Sequence, residues 1–164
     1  MSSPVPAFIG LGGNLGDAVG TVRSALLALE RIPRSRMVGA SRLFRTPAWG
    51  RQQQPDFINA AAHLQTSLPP RELLEALLEI EREFGRERDP AQRWGPRTLD
   101  LDLLLYAQTV MDEPGLRLPH PHLHERAFAL LPLLEVAPDL HIPGHGAASR
   151  ALMGLDASAI QPVG

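Results

Sequence analysis

Apolar residues along this chain change their period several times, and each change marks an element. Pro6 to Leu11 is a short apolar run that predicts a strand. Gly12-Gly13-Asn14-Leu15-Gly16-Asp17 then reads as a turn, with Asp17 placed to cap a helix. Val19, Val22, Leu26 and Leu29 recur at helical spacing up to about Arg31, and Ile32-Pro33 ends that helix. Met37 to Arg45 predicts a single strand bent near Gly39. Thr46 to Arg51 is a Gly- and Pro-punctuated loop prolonged by Gln52-Gln53-Gln54-Pro55. From Phe57 to Gln65 the period is two, with Ile58, Ala60, Ala62 and Leu64 on one face and Phe57, Asn59, Ala61 and His63 on the other. Pro69-Pro70 open a helix that runs to Phe84, with Leu73, Leu74, Leu77, Leu78, Ile80 and Phe84 inward, and Gly85 stops it.

The second half begins with a polar loop, Arg86 to Arg97, and then enters the most apolar run of the chain, Leu99 to Tyr106. The length and flanks of that run suit a buried strand. Gln108 to Met111 predicts a short return strand, and Glu125 to Val136 a helix interrupted or ended near Pro132. Pro143 to Gly146 is a turn, Ser149 to Leu155 a short last helix, and the tail after Ala157 carries no readable chemistry. The order β-α-β-β-α-β with a helical extension predicts an α+β sandwich, a mainly antiparallel sheet with helices chiefly on one face, as a single domain over 1–164.

Composition narrows the function classes. A chain of 164 residues can bury a real core. The net charge of −2 gives no strong pull toward nucleic acid or an anionic membrane. All 16 basic residues are arginine, which excludes Schiff-base chemistry and a phosphate-loop lysine. There is no cysteine, hence no disulfide, thiolate nucleophile or cysteine-ligated zinc. The start of the sequence lacks a basic segment followed by an apolar stretch, and no run approaches membrane-spanning length, so a cytoplasmic protein is expected.

Candidate chemistry sits on the Leu99–Tyr106 strand. Asp100 and Asp102 project to one face, and Leu99, Leu101 and Leu103 to the other. Strand rise puts the two acidic Cα atoms about 6.5–7 Å apart, a spacing that suits a hard cation shared with phosphate oxygens. Structural ion pairing with Arg93 and Arg97 is the stronger reading of the acid pair alone. Arg86, Arg88, Arg93 and Arg97 crowd the preceding loop with Trp94, however, and arginine forks suit phosphate. Arginines beside an acidic strand predict a nucleoside triphosphate site. His120, His122 and His124 alternate and invite a zinc reading, against which stand two prolines and the lack of an acidic ligand set.

Arg93-Trp94-Gly95-Pro96-Arg97-Thr98-Leu99-Asp100-Leu101-Asp102-Leu103-Leu104 closely resembles the signature of the 6-hydroxymethyl-7,8-dihydropterin pyrophosphokinase family. The resemblance extends to Gly12-Gly13-Asn14-Leu15, with Gly13 where the family has serine, and to Arg45-Thr46-Pro47 with Gly50. It continues through Pro55-Asp56-Phe57 with Asn59-Ala60, Pro119-His120, and Arg126 with Phe128. Trp49 stands where an aliphatic residue is common and Pro121 where an aromatic is, and the segment from Gly85 to Arg93 is one residue longer than usual.

The resemblance implies a ferredoxin-like fold and transfer of diphosphate from ATP to the pterin hydroxymethyl group, releasing AMP, in folate biosynthesis. It implies that Asp100 and Asp102 hold a pair of Mg2+ ions, with Asp102 also a candidate proton acceptor. Arg86 and Arg97 would stabilise the transferring charge. Arg88, Trp94, Arg97, Leu103 and His120 would bind ATP. Thr46, Pro47, Phe57, Asn59, Trp94 and Phe128 would bind the pterin, and Glu81 would support the loop arginines. A monomer without nucleic-acid or membrane partners is expected, with the Arg86–Arg97 loop closing on ligand. Two rivals are a different metal-dependent phosphotransferase or nuclease, separated by pterin-dependent release of AMP, and a non-catalytic ligand-binding module, separated by the absence of ATP consumption.

Overall fold

A computed structural model describes residues 3–47, 55–85 and 98–163. Its sheet is built around β1 (Val5–Gly13), which pairs antiparallel with β4 (Phe57–Thr66) on one side and β5 (Asp100–Tyr106) on the other. β2 (Ser35–Ala40) and β3 (Phe44–Thr46) follow one another along the outer edge of β4, and β10 (Gln161–Pro162) pairs with β3. The order is β10-β3-β4-β1-β5 with β2 also on β4, every pairing antiparallel.

Alternation decides which face each side chain takes. Ile9 and Leu11 of β1, Ile58, Ala60, Ala62 and Leu64 of β4, and Leu101 and Leu103 of β5 form one core with α1 (Ala18–Leu29) and α2 (Pro70–Glu83). Asp17 caps α1, its carboxylate accepting from the Gly20 N–H at 3.0 Å. Pro70 opens α2, Glu72 lies in its first turn and Arg82 in its last, each sign suited to the helix dipole. Gly85, at φ +81°, takes the left-handed position just past the end of α2. Leu73, Leu77 and Ile80 are the buried face of α2, each contributing about 1.5–3 kcal/mol of apolar burial. Leu74 and Phe84 pack at its margin.

The second face carries a smaller core. Phe8, Ala61, Leu104 and Leu105 pack against Leu130 and Leu133 of α3 (Ala127–Val136) and Ala148 of α4 (Ala148–Met153). Helices therefore cover both faces, whereas the element order alone predicts one. A register shift between Phe8 and Ile9 leaves Leu104 as the extra residue of β5 and turns Leu104 and Leu105 to the same side. α3 and α4 cover only part of this face, and among the described residues the remainder lines a hollow.

Several sequence expectations change. The strand expected over Met37–Arg45 is two strands. Ser41 breaks the ladder: its N–H donates to Ala61 O, its Oγ accepts from the Ala61 N–H and donates to Arg42 O. The bend near Gly39 is a register shift between Met37 and Gly39. Gly12 and Gly13 belong to β1, so the turn starts at Asn14. Gln108–Met111 is no strand, because Ala107 at φ 48° turns the chain first; β6 (Met111–Glu113) and β7 (Leu116–Leu118) form a hairpin there. Pro132 does not interrupt α3; burial of Leu130, Pro132 and Leu133 carries the helix past the missing N–H. The helix starts at Ala127 rather than Glu125, because Leu123–Glu125 is a 3-10 turn and Arg126 is extended. Beyond α3, β8 (His141–Ile142) and β9 (Gly146–Ala147) make a two-residue ladder.

Candidate active site

The open part of the second sheet face is a cleft of about 520 Å³. Its floor comes from alternation and register. Phe44, Asn59, Gly12 and Asp100 stand opposite one another across β3, β4, β1 and β5, and Ala61, Gly10 and Asp102 form the next row. Asn59 and Asp100 are thus two strand spacings apart, about 9.5 Å, with only glycine between them. A Cβ on Gly12 would lie 2.9 Å from Asn59 Nδ2, so the amide rests directly over that glycine. A side chain at either row's centre would fill the floor.

One end of the cleft is a reading edge. Thr46 and Asn59 are buried, and Thr46 Oγ1 donates to Asn59 Oδ1 at 3.2 Å, which turns the amide NH2 group away from that partner. Pro47, Phe57 and Phe128 line the apolar walls around it, and Phe128 keeps 37% of its surface exposed. This is a slot for a flat ring with a mixed donor–acceptor edge. The Arg126 guanidinium lies 5.8 Å over the Phe128 ring and adds a cation to the cleft.

The other end is acidic. Asp100 and Asp102 both line the cleft, as strand alternation predicts. The backbone between them is fixed from below: the Leu101 N–H donates to Glu81 Oε2 at 2.7 Å, a carboxylate only 3% exposed at the end of α2. Asp102 and His120 also border a second hollow of about 250 Å³, with Leu103, Leu74 and Arg117 on its far walls. The two hollows therefore meet at Asp102 and His120. The His120 N–H donates to Leu104 O at 2.9 Å, and its Nδ1 accepts from the His122 N–H at 3.3 Å, leaving Nε2 as the protonated ring nitrogen. Burial, helped by the charges of Arg126, His122 and Arg117, lowers the His120 pKa to about 4. His120 is thus a neutral donor at neutral pH.

Among the described residues no group of three His, Cys, Asp or Glu side chains is placed to hold a metal ion. The acid pair fits a cation that takes one or two carboxylates and fills its other positions with phosphate oxygens and water, the habit of Mg2+. It does not fit an all-protein zinc cage. His122 and His124 instead flank Glu125, at 3.4 and 3.3 Å.

Residues 8–138 match the sequence profile of the 7,8-dihydro-6-hydroxymethylpterin-pyrophosphokinase (HPPK) family. The chain belongs to the HPPK family. A relative from Pseudomonas aeruginosa named 2-amino-4-hydroxy-6-hydroxymethyldihydropteridine pyrophosphokinase is 47% identical over 136 residues, covering 83% of each chain. One of the same name from Methylorubrum extorquens is 44% identical over 157 residues, covering 96% of this chain and 98% of its own. Among solved structures, an HPPK-DHPS in complex with substrates superposes with a TM-score of 0.74 at 11% identity, over 93% of this chain and 43% of that one. The wild-type Plasmodium falciparum HPPK-DHPS gives 0.73 at 13%, over 94% and 45%. The chain spans a little under half of those two proteins, and at such identity the likeness is one of fold.

Of the residues that the HPPK resemblance singles out, Thr46, Pro47, Phe57, Asn59, Asp100, Asp102, His120 and Phe128 come together in the one cleft. Leu103 is turned away from it, 5% exposed, and borders the second hollow. Arg86, Arg88, Trp94 and Arg97 lie outside the described residues, as does the loop expected to close. Sequence reading missed Gly10 and Gly12 as the floor, because nothing in the sequence separates a strand glycine from a turn glycine. Arg126 was legible only as half of a motif with Phe128.

Proposed function

We propose that this chain transfers diphosphate from ATP to 6-hydroxymethyl-7,8-dihydropterin, as the names of its relatives indicate for them. The observation that carries this reading is the pairing, on one sheet face, of a ring slot ending in Thr46 and Asn59 with an acid pair about 9.5 Å away. The pterin ring occupies the slot, with Phe57 and Phe128 at its faces and Asn59 at its edge, and its hydroxymethyl group points toward Asp100 and Asp102. The nucleotide occupies the second hollow beside Leu103, and its phosphates reach Asp102 and His120. The pterin oxygen attacks the β-phosphorus, the bond from that phosphorus to the α-phosphate bridging oxygen breaks, and AMP leaves. Asp102 is the candidate acceptor of the hydroxyl proton.

Asp100 and Asp102 would hold two Mg2+ ions, which supply charge neutralisation along the triphosphate. His120 would donate its Nε2–H to phosphate. Arg86 and Arg97 stabilise transferring charge, and Arg88 and Trp94 contribute to nucleotide binding, with Trp94 also covering the pterin. These are the roles that positioning and electrostatics require of a phosphoryl-type transfer.

We read the sheet order and the β1-α1-β2-β3-β4-α2-β5 succession as a ferredoxin-like sandwich, a single domain over 1–164 acting as a cytoplasmic monomer. Among the described residues no helix is long and apolar enough to cross a membrane. Product analysis with ATP, Mg2+ and the pterin alcohol tests the function. AMP and the pterin diphosphate should form in equal amounts. Formation of ADP, or AMP release that ignores the pterin, would overturn the reading.

A further inference from the structure

Arg42 lies in the gap between β2 and β3, where the backbone has left the ladder, and Glu135 lies in the last turn of α3. Glu135 Oε1 accepts from the Arg42 backbone N–H at 2.9 Å, and Oε2 accepts from Arg42 Nε at 2.9 Å and Nη2 at 2.7 Å. One carboxylate thus fixes both the main chain and the side chain of a residue 93 positions away. The side chains are 65% and 25% exposed. The Arg42 side chain is open to water, so the pair adds only modestly to global stability, and its place in the fold gives it a second role.

What lies on either side of the pair supplies it. The Arg42 guanidinium sits 5.5 Å over the Phe44 ring. Phe44, 2% exposed, stands opposite Asn59 across β3 and β4, and Thr46 two residues on bonds the Asn59 amide. At the other end α3 is a continuous helix, Pro132 included, whose first turn carries Phe128. Phe128 and Glu135 are seven positions apart along the helix, about 10 Å. The pair therefore ties the strand that holds the reading edge to the helix that holds the facing ring. β3 keeps its place in the sheet without it, through β10 and the Val163 N–H to Leu43 O bond at 2.9 Å.

We propose that Arg42 and Glu135 are a positioning pair that sets the width of the ring slot between Thr46–Asn59 and Phe128, and so the affinity for the pterin. This rests on the function proposed above. The pair touches neither the acid pair nor the second hollow, so its effect is confined to one substrate.

The test compares wild type with Arg42→Ala, Glu135→Gln, Arg42→Lys and the Arg42→Ala/Glu135→Gln double variant. Calorimetry measures the Kd of the pterin alcohol and, separately, of a non-hydrolysable ATP analogue with Mg2+; melting temperature and the split between KM and kcat are recorded beside them. Each alanine or glutamine variant should weaken pterin binding roughly tenfold through misplacement of the slot walls. The pterin KM should rise while kcat, nucleotide affinity and melting temperature stay near wild type. The double variant should lose less than the sum of the two single losses, because the two residues act through a shared contact. Arg42→Lys keeps a cation within reach of Glu135 and should recover part of the loss. Unchanged pterin affinity in both single variants would overturn the proposal. So would parallel losses of pterin affinity, nucleotide affinity and melting temperature, which mark a merely structural pair. Wild-type protein that fails to bind the pterin alcohol at all would instead overturn the parent reading, and this one with it.

Discussion

Gly12→Ala tests whether the floor of the cleft sets the reading edge. The new Cβ would stand 2.9 Å from Asn59 Nδ2 and 3.7 Å from Ile58 O. Comfortable carbon contacts begin near 3.5 Å, so the amide must move by about 0.6 Å. Its other end is already committed: Asn59 Oδ1 accepts from Thr46 Oγ1 at 3.2 Å. Displacement of about 0.6 Å away from Thr46 takes that bond past useful geometry, and rotation of the amide breaks it as well. Losing the bond costs about 1 kcal/mol, and leaving ligand polar atoms unmatched in the slot costs about 1–3 kcal/mol more. A total of about 2–4 kcal/mol is a roughly 30- to 700-fold weaker pterin complex. Overpacking of the strand should also lower folding stability by about 1–3 kcal/mol, read by urea denaturation. Calorimetric titration with the pterin alcohol gives the affinity, and titration with the ATP analogue should change far less. Gly39→Ala is the control, since nothing lies within 4 Å of a Cβ there. A folded Gly12→Ala protein that binds pterin within twofold of wild type would refute the reasoning.

Asp102→Asn should remove most turnover, because it weakens the acid pair where the two hollows meet, while melting stays near native; full activity would sink the metal assignment. Glu81→Ala deprives the Leu101 N–H of its buried acceptor and should cost about 1–3 kcal/mol of stability together with turnover, with Glu81→Gln milder in both; equal stability and activity in the alanine variant would exclude a positioning role. His120 titrates near 4 in the fold and near 6.5 when unfolded, so the unfolded chain takes up its proton first as pH falls. Its contribution is complete above pH 6.5 and is lost as pH drops toward about 4, and His120→Gln should flatten that part of the stability–pH curve. Identical slopes for wild type and variant between those values would show that His120 is not the group responsible.

The face assignments were legible because they rest on alternation. The period of two in β4 separates Ile58, Ala60, Ala62 and Leu64 from Phe57, Asn59 and Ala61, and the structure keeps that division. The same rule turns Asp100 and Asp102 away from Leu101 and Leu103. It fails at Leu103-Leu104-Leu105, where three apolar residues in succession give no parity and a bulge decides it. β10 was illegible for a different reason: Gln161–Pro162 pairs through main chain alone and shows no apolar pattern. The break at Ser41 depends on one hydroxyl satisfying the Ala61 N–H, which no local pattern announces. The Pro114-Gly115 turn of the β6–β7 hairpin has turn residues of its own, but the strands beside it are only three residues long, too short to establish a period. Arg42 and Glu135 show nothing until the fold joins them.

The site inherits its dimensions from the sheet rather than from loops. The separation of Asn59 from Asp100 is two hydrogen-bonded strand spacings, and neither can change without breaking the ladder on both sides of Gly12. Loop length can vary around this arrangement without altering the distance between ring edge and acid pair. A one-residue slip of β5 would do far more damage than a change of distance. It would turn Asp100 and Asp102 into the core beneath α1 and α2, and put Leu101 and Leu103 into the cleft. Burying two carboxylates there costs several kcal/mol for each ion, comparable with the whole stability of a domain this size. The alternation that fixes the register of β5 therefore protects the acid pair as well. Selection for a folded sheet and selection for a correctly facing acid pair act on the same residues.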